Sequence, residues 1–190
     1  IHTGDIRDVF PHHECEKAQS DGYAGKTVVG AWVHFQPLLV DGLIMSRRSG
    51  NARTLADLEA REFEPLAFRY LCLTARFSSP LHFSLRSLRA AQRALLRLRH
   101  RVWEWASLSA PEAADQEARQ PWEQRFQELV GANLDLPGAL ALTWDLARSD
   151  LPGRTKLEIV LGFDNVLGLG LDGVSDLYGG PEEVLGVVER

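Results

Sequence analysis

A chain of 190 residues, 45% apolar and 25% charged, is long enough for one or two small domains with a buried core. Its net charge of -5 gives no overall pull toward nucleic acid, so any such binding must come from a local basic patch. Two cysteines, Cys15 and Cys72, exclude a disulfide framework and fit a reducing, cytoplasmic setting, and no apolar run approaches the roughly 20 residues of a membrane span. The chain opens at Ile1 without a signal peptide and holds a single methionine, Met45, which suggests part of a longer polypeptide.

In chain order, Pro11 to Gln19 begins with Pro and continues with good helix formers, which predicts a short helix. Gly22 and Gly25 precede "KTVVGAWVHF", whose β-branched and aromatic residues predict a strand, and "PLLV" a second short one before the Asp41-Gly42 turn. Thr54 and Asp57 form a capping box for a helix through about Ala60. Leu66 to Ala75 reads as a mostly apolar helix with Cys72 in its packed face, and "FSSPLHFS" breaks it. Ser84 then caps a long helix in which Leu88, Ala91, Leu95, Leu98 and Val102 recur at helical spacing. After the polar connector "SLSAPEAADQEARQ", three helices are expected near Trp122 to Val130, Pro137 to Arg148 and Thr155 to Leu167, with a boundary at "LYGGPEE". Trp103, Trp105, Trp122 and Trp144 are expected to pack in the core or connector rather than to stack on bases.

Three stretches carry candidate chemistry. In "FPHHECEKAQS", a helix sets His12 and Glu16 four residues apart on one face, where both can reach one Zn²⁺. Structural zinc takes four ligands, however, and such a pair also serves as surface or capping chemistry. In "VDGLIMSRRSGN", Arg47 and Arg48 with Gly50 could hold polyphosphate, or simply face solvent. Arg86, Arg89, Arg93 and Arg97 form a stripe at helical spacing, continued by His100 and Arg101, and no Asp or Glu lies between Glu64 and Glu104. That stripe is either a phosphate track or a solvated Arg-rich face. "HTGD" approaches an H-x-G-H nucleotidyl-transfer signature but lacks the second His, so it is discounted by itself.

The order of these pieces resembles the cysteinyl-tRNA synthetases. "IHTGDIRDVFPHHECEKAQS", "WVH", "VDGLIMSRRSGN" and "EPLAFRYLCLTARFSSPLHFS" follow one another as D-I-H-x-G-G-x-D-x-x-F-P-H-H-E-N-E-x-A-Q-S, W-x-H-x-G and V-D-G-x-K-M-S-K-S-L-G-N do in that family. "LDLPGALALTWDLAR" and "KLEIVLGFDNVLGLGL" look like its helical region. The resemblance implies an α/β remnant of a class I Rossmann-like catalytic domain followed by a mostly α-helical bundle. Its expected parts are residues 1–53 with a degenerate K-M-S-K-S loop, connecting helices over 54–106, and a shortened anticodon-region-like bundle over 107–190.

The family uses ATP and Zn²⁺, the zinc being held by two Cys, one His and one Glu. His12 and Glu16 match the last two ligands, and Cys15 stands at the position of the family's Asn. The metal site is therefore expected to be incomplete, and no cofactor is expected on the chain alone. His2, Gly4, Met45, Ser46 and Arg47 match nucleotide-site positions, but Asp5 replaces a Gly, Arg7 an acidic residue, Gln36 a Gly and Ile44 the first lysine of K-M-S-K-S. Arg47 alone keeps a cation where a lysine would stabilise the triphosphate in the transition state. Losing one such contact costs on the order of 3 kcal/mol, about a hundredfold in rate. The resemblance thus implies a chain unable to activate cysteine by itself, retaining a role in binding tRNA or a protein partner, with neither membrane nor DNA involved. Completed by another chain, it would instead be half of a working cysteine–tRNA ligase. A protein-interaction or regulatory module indifferent to tRNA is the third reading.

Overall fold

The alternation of short apolar runs with turn residues in the first third gives strands rather than long helices, and the heptad-like apolar spacing beyond residue 84 gives the reverse. In the computed structural model, which describes residues 1–108 and 115–174, the chain divides into two compact units. One comprises residues 1–52 and 75–84, the other 53–74 and residues 85 onward. The "LYGGPEE" boundary and the middle of the polar connector lie outside the described residues.

In the first unit, β1 (His2–Asp5) pairs in parallel with β2 (Trp32–Phe35), His2 opposite Trp32 and Gly4 opposite His34. Between them a 3₁₀ turn at Ile6–Asp8 and a wide turn at Val9–His13 lead into α1 (Glu14–Ala24), which ends at Gly25 in the left-handed conformation. A second sheet has β3 (Leu38–Val40) at its centre, antiparallel to β4 (Leu43–Ile44) and parallel to β5 (Leu81–Phe83). Asp41 and Gly42 both take positive φ, as a tight hairpin turn between β3 and β4 demands.

Two expectations are corrected here, and two short strands appear that no local signal marked. The strand predicted over residues 26–35 is confined to Trp32–Phe35, because among the described residues the stretch from Lys26 to Gly30 pairs with no strand. The helix predicted at 11–19 does start at Pro11, in a wide π-type turn just after the extended Phe10, but it runs on through α1 to Ala24 rather than ending at Gln19. "HTGD" is a strand, held by its pairing with β2 rather than by any local signal. "FSSPLHFS" separates α3 from α4 as expected and also contains β5, whose three residues pair with β3 from far along the chain.

In the second unit, α2 (Leu55–Glu59) starts at the expected capping box, in which Thr54 and Asp57 satisfy each other's backbone amides. Then come α3 (Pro65–Leu73), α4 (Leu85–Leu108), α5 (Gln116–Gly131), α6 (Leu136–Arg148) and α7 (Gly153–Leu167). The apolar stripe of α4 is fully used: Leu88, Leu95 and Leu98 are completely buried, Ala91 and Val102 nearly so, and α4 packs on α3 and α7. Phe126 of α5 stacks on Phe163 of α7 at 4.1 Å.

Two buried charged side chains of this unit, Arg99 and Asp164, are held by hydrogen bonds, although Arg99 Nε and His100 Nδ1 are buried without a partner. The Arg99 guanidinium donates to both Glu64 oxygens at 2.7 Å and to the Leu169 carbonyl at 3.1 Å. The Asp164 carboxylate accepts from the amides of Leu169 and Leu171 at 2.7 and 2.8 Å, closing the turn after α7, where Gly168 is left-handed. A Cβ at Gly168 would lie 2.9 Å from the Arg69 guanidinium, which donates to the Leu167 and Val166 carbonyls. Two further expectations change in this unit. Cys72 is exposed rather than in the packed face of α3, because Tyr70, Leu71 and Leu73 supply that face. α5 begins at Gln116 rather than near Trp122, because Asp115 caps the amides of Glu117 and Ala118.

Candidate functional site

His2, Gly4, His13, Glu16, Trp32 and His34 of the first unit meet where β1, the entry to α1 and β2 converge, whereas the residues of the Ile44 to Arg48 loop make their side-chain hydrogen bonds within that loop. His2 stacks on Trp32 at 4.5 Å, and its Nε2 lies 3.2 Å from Glu16 Oε2. His13, buried at the entry to α1, contacts His34 of β2 through Nδ1 and Nε2 at 2.8 Å. Only a glycine fits opposite it, since a Cβ at Gly4 would come within 2.3 Å of His13 Cε1. His12 Nε2 is 3.4 Å from Glu16 Oε1, but its side chain is 64% exposed. Among the described residues the donors that gather closely are His2, His13 and Glu16, within 4.8 Å of one another. Of the predicted metal residues the structure thus brings Glu16 into the cluster and leaves His12 at its rim. His13 and His34 complete the cluster, and nothing local in the sequence marks them as partners, because three separate elements bring them together.

The family's zinc needs two thiolates, one imidazole and one carboxylate. Here two imidazoles and a carboxylate are available, and Cys15 is an exposed free thiol. This nitrogen and oxygen set does not fit a closed four-ligand site with two sulfurs.

At Asp5 the carboxylate is committed locally. It caps the 3₁₀ turn through the Arg7 amide and holds the Arg7 guanidinium in a two-point pair at 2.7 Å. The Arg7 side chain draws the Asp5 carboxyl below the usual aspartate range against the opposing effect of burial, so Asp5 is anionic near neutral pH. A carboxylate at this position repels a triphosphate, and its pairing with Arg7 reduces that repulsion without removing it.

The loop after β4 is ordered by its own side chains. Ser46 Oγ accepts from the Ser49 amide at 3.0 Å, Asn51 accepts from the Ser46 amide at 2.8 Å, and Asn51 donates back to the Ile44 carbonyl at 3.2 Å. Gly50 takes φ +69 and donates to Arg47 at 3.1 Å, closing a turn. Arg47 and Arg48 stand out from this turn into solvent, while Met45 and Ser46 are half-buried. Ile44 presents an apolar side chain, 39% exposed, where the motif has its first lysine.

In the second unit the face of α4 opposite its apolar stripe is basic. Arg86, Arg89, Arg93 and Arg97 are all exposed on it, and Arg89 also lies over the Phe63 ring at 5.8 Å. Arg86 and Arg93 line a shallow groove with Leu85, Arg89 and Ala90. Arg99, two residues beyond Arg97, points the other way into the core. Trp105 is buried and Trp103, Trp122 and Trp144 are half-buried, Trp103 stacking on His100 at 6.0 Å. No described helix is long and apolar enough to cross a membrane.

Residues 1–93 match the family described as tRNA synthetases class I (C), catalytic domain, which spans every motif of the first unit. Over 172 residues the chain is 43% identical to cysteine–tRNA ligase 1 of Burkholderia lata, covering 90% of this chain and 35% of that protein. It is 34% identical over 182 residues to the cysteine–tRNA ligase of Borrelia hermsii, again 90% of this chain and 38% of the relative. The fold is similar, with a TM-score of 0.60 and 14% identity, to Agrobacterium radiobacter K84 agnB2 LeuRS in its ternary complex with tRNA and LeuAMS, over 99% of this chain and 27% of that one. The chain therefore spans a little over a third of the curated relatives it matches. Its colinear motifs, the matched catalytic domain and these relatives place it in the cysteinyl-tRNA synthetase family of class I aminoacyl-tRNA synthetases.

Proposed function

We propose that this chain binds tRNA through α4 and does not by itself form cysteinyl-adenylate. The observation that carries the reading is the exposed row Arg86, Arg89, Arg93 and Arg97 on one face of a 24-residue helix. From Arg86 to Arg97 the row extends about 16 Å along the axis, with neighbouring side chains roughly 5–6 Å apart, a ladder of cations suited to a phosphate backbone. Arginine forks bind phosphate oxygens in two-point fashion, which a merely solvated face has no use for. Local charge is what matters here, because the chain as a whole is acidic.

The adenylation half of the proposal rests on Ile44, Asp5 and Arg7. Ile44 offers no charge to a leaving pyrophosphate, and the Asp5 carboxylate adds a repulsion where the family has a glycine. The zinc that would hold substrate cysteine lacks its sulfur ligands among the described residues.

Two measurements test the two halves. In filter binding with a tRNA transcript, the Arg89→Glu/Arg93→Glu variant is expected to bind at least about tenfold more weakly than the parent chain. Equal affinity would overturn tRNA binding and favour a protein-interaction module. In pyrophosphate exchange with cysteine and ATP, the chain is expected to stay at the blank rate, and exchange clearly above it would refute the inactivity.

A further inference from the structure

Beyond the arginine row, α4 borders a second groove that the row does not explain. Tyr70 of α3, Ala94, Arg97 and Arg101 of α4, and Trp144, Ala147 and Arg148 of α6 line an open surface groove of about 780 Å³. A single nucleotide fits within that volume. Ala94 and Ala147 are small residues facing it from the two helices, so nothing fills the groove from within. Trp144 Nε1 donates to Tyr70 Oη at 2.8 Å, which fixes the indole and leaves it half-buried at the groove wall.

The charge in the groove is in excess on the positive side. Arg97 is exposed and has no hydrogen-bond or ion-pair partner among the described residues, and it sits close enough to Tyr70 to act on its hydroxyl. Arg101 and Arg148 each pair with a carboxylate one turn along their own helix, Glu104 at 3.0 Å and Asp145 at 2.6 Å. Those pairs are surface pairs, with the arginine side chains 57% and 68% exposed, and such pairs yield readily to a stronger anion. Each guanidinium also keeps further N–H groups for a second acceptor. Burial holds the Lys156 ammonium below the ordinary lysine range, and the nearby Arg101 adds to that effect.

We propose that this groove is a nucleotide subsite, in which Arg97, Arg101 and Arg148 take one RNA phosphate and the Trp144 indole takes one unpaired base. It rests on the tRNA-binding reading and extends it: the phosphate track on α4 continues past Arg97 onto α6, and there the strand presents a base rather than its backbone alone. Aromatic rings beside a basic groove are the recurring arrangement for single-stranded nucleic acid, because every base offers a face to stack.

The test is fluorescence anisotropy with a labelled single-stranded RNA heptamer and with a tRNA transcript, on the full chain and on variants whose circular dichroism matches it. Arg148→Gln is expected to weaken heptamer binding several-fold and to lower its salt dependence by somewhat less than one unit of slope. Ala147→Leu, which fills the groove without touching charge, is expected to weaken it several-fold as well. Trp144→Leu is expected to cost roughly five- to a hundredfold, the range seen for lost base stacking.

Unchanged heptamer binding in Arg148→Gln and Ala147→Leu, or no heptamer binding by the parent chain, overturns the subsite. A loss confined to Arg148→Gln overturns the base contact. Arg86→Gln/Arg93→Gln separates the two proposals. If it weakens tRNA binding while the groove variants do not, the subsite falls and the tRNA reading stands. If it too leaves tRNA binding unchanged, both fall.

Discussion

Gly4 has no room for a side chain, because a Cβ would meet the buried His13 imidazole at 2.3 Å. Gly4→Ala must therefore displace that ring from its 2.8 Å contact with His34, and it is expected to destabilise the chain by about 2 kcal/mol in urea unfolding. An unchanged midpoint would show that the ring relaxes at no cost. Asp5 gives a pH signature. Its native carboxyl titrates below the unfolded one, chiefly through the Arg7 side chain, so its contribution to stability is complete above the ordinary aspartate range. That contribution is lost as the pH falls through the lowered native value. Carboxyl titration by NMR is expected to show Asp5 titrating low in the parent and higher in Arg7→Ala; identical midpoints would contradict the pairing. At this scale the helical spacing of the motif made the approach of Glu16 to an imidazole legible. The sequence was silent on His13 and His34, which become partners only because β1, α1 and β2 converge.

Elements with strong local signals were readable in advance. The apolar repeat of α4, the capping box of α2 and the Asp41-Gly42 turn each depend on residues within a few positions of one another. β1, β4 and β5 were not readable, since two to four residues make a strand only when a distant partner supplies the hydrogen bonds. The start of α5 carries no apolar repeat to mark it, because Asp115 caps the helix from within a polar stretch six residues before Pro121. Asp164 shows what holds the end of the bundle. Asp164→Ala leaves the Leu169 and Leu171 amides buried without acceptors, and a loss of about 2–4 kcal/mol is expected in chemical denaturation. A loss below about 0.5 kcal/mol would mean that solvent reaches that turn. Glu64→Ala, which strands the buried Arg99 guanidinium, is expected to cost about 2–3 kcal/mol, less than a fully buried pair because Glu64 is one-third exposed.

On the scale of the whole chain, a linear reading in three successive segments meets a fold in which residues 75–84 rejoin the first unit after α3. That return is invisible to composition, because β5 lies inside what reads as a break. The distribution of charge was visible: a chain of net -5 has a stretch from Pro65 to Trp103 without a carboxylate, and α4 turns much of that stretch into one basic face. The central claim, that this face carries tRNA, is tested most directly by the dependence of tRNA affinity on salt. With four arginines each releasing a counterion from a phosphate, a plot of log affinity against log salt is expected to fall with a slope of about -3 to -4. The same plot for Arg86→Gln/Arg93→Gln is expected to be shallower by about 1.5 to 2. A parent slope near zero, or one that the paired substitution leaves unchanged, would contradict it.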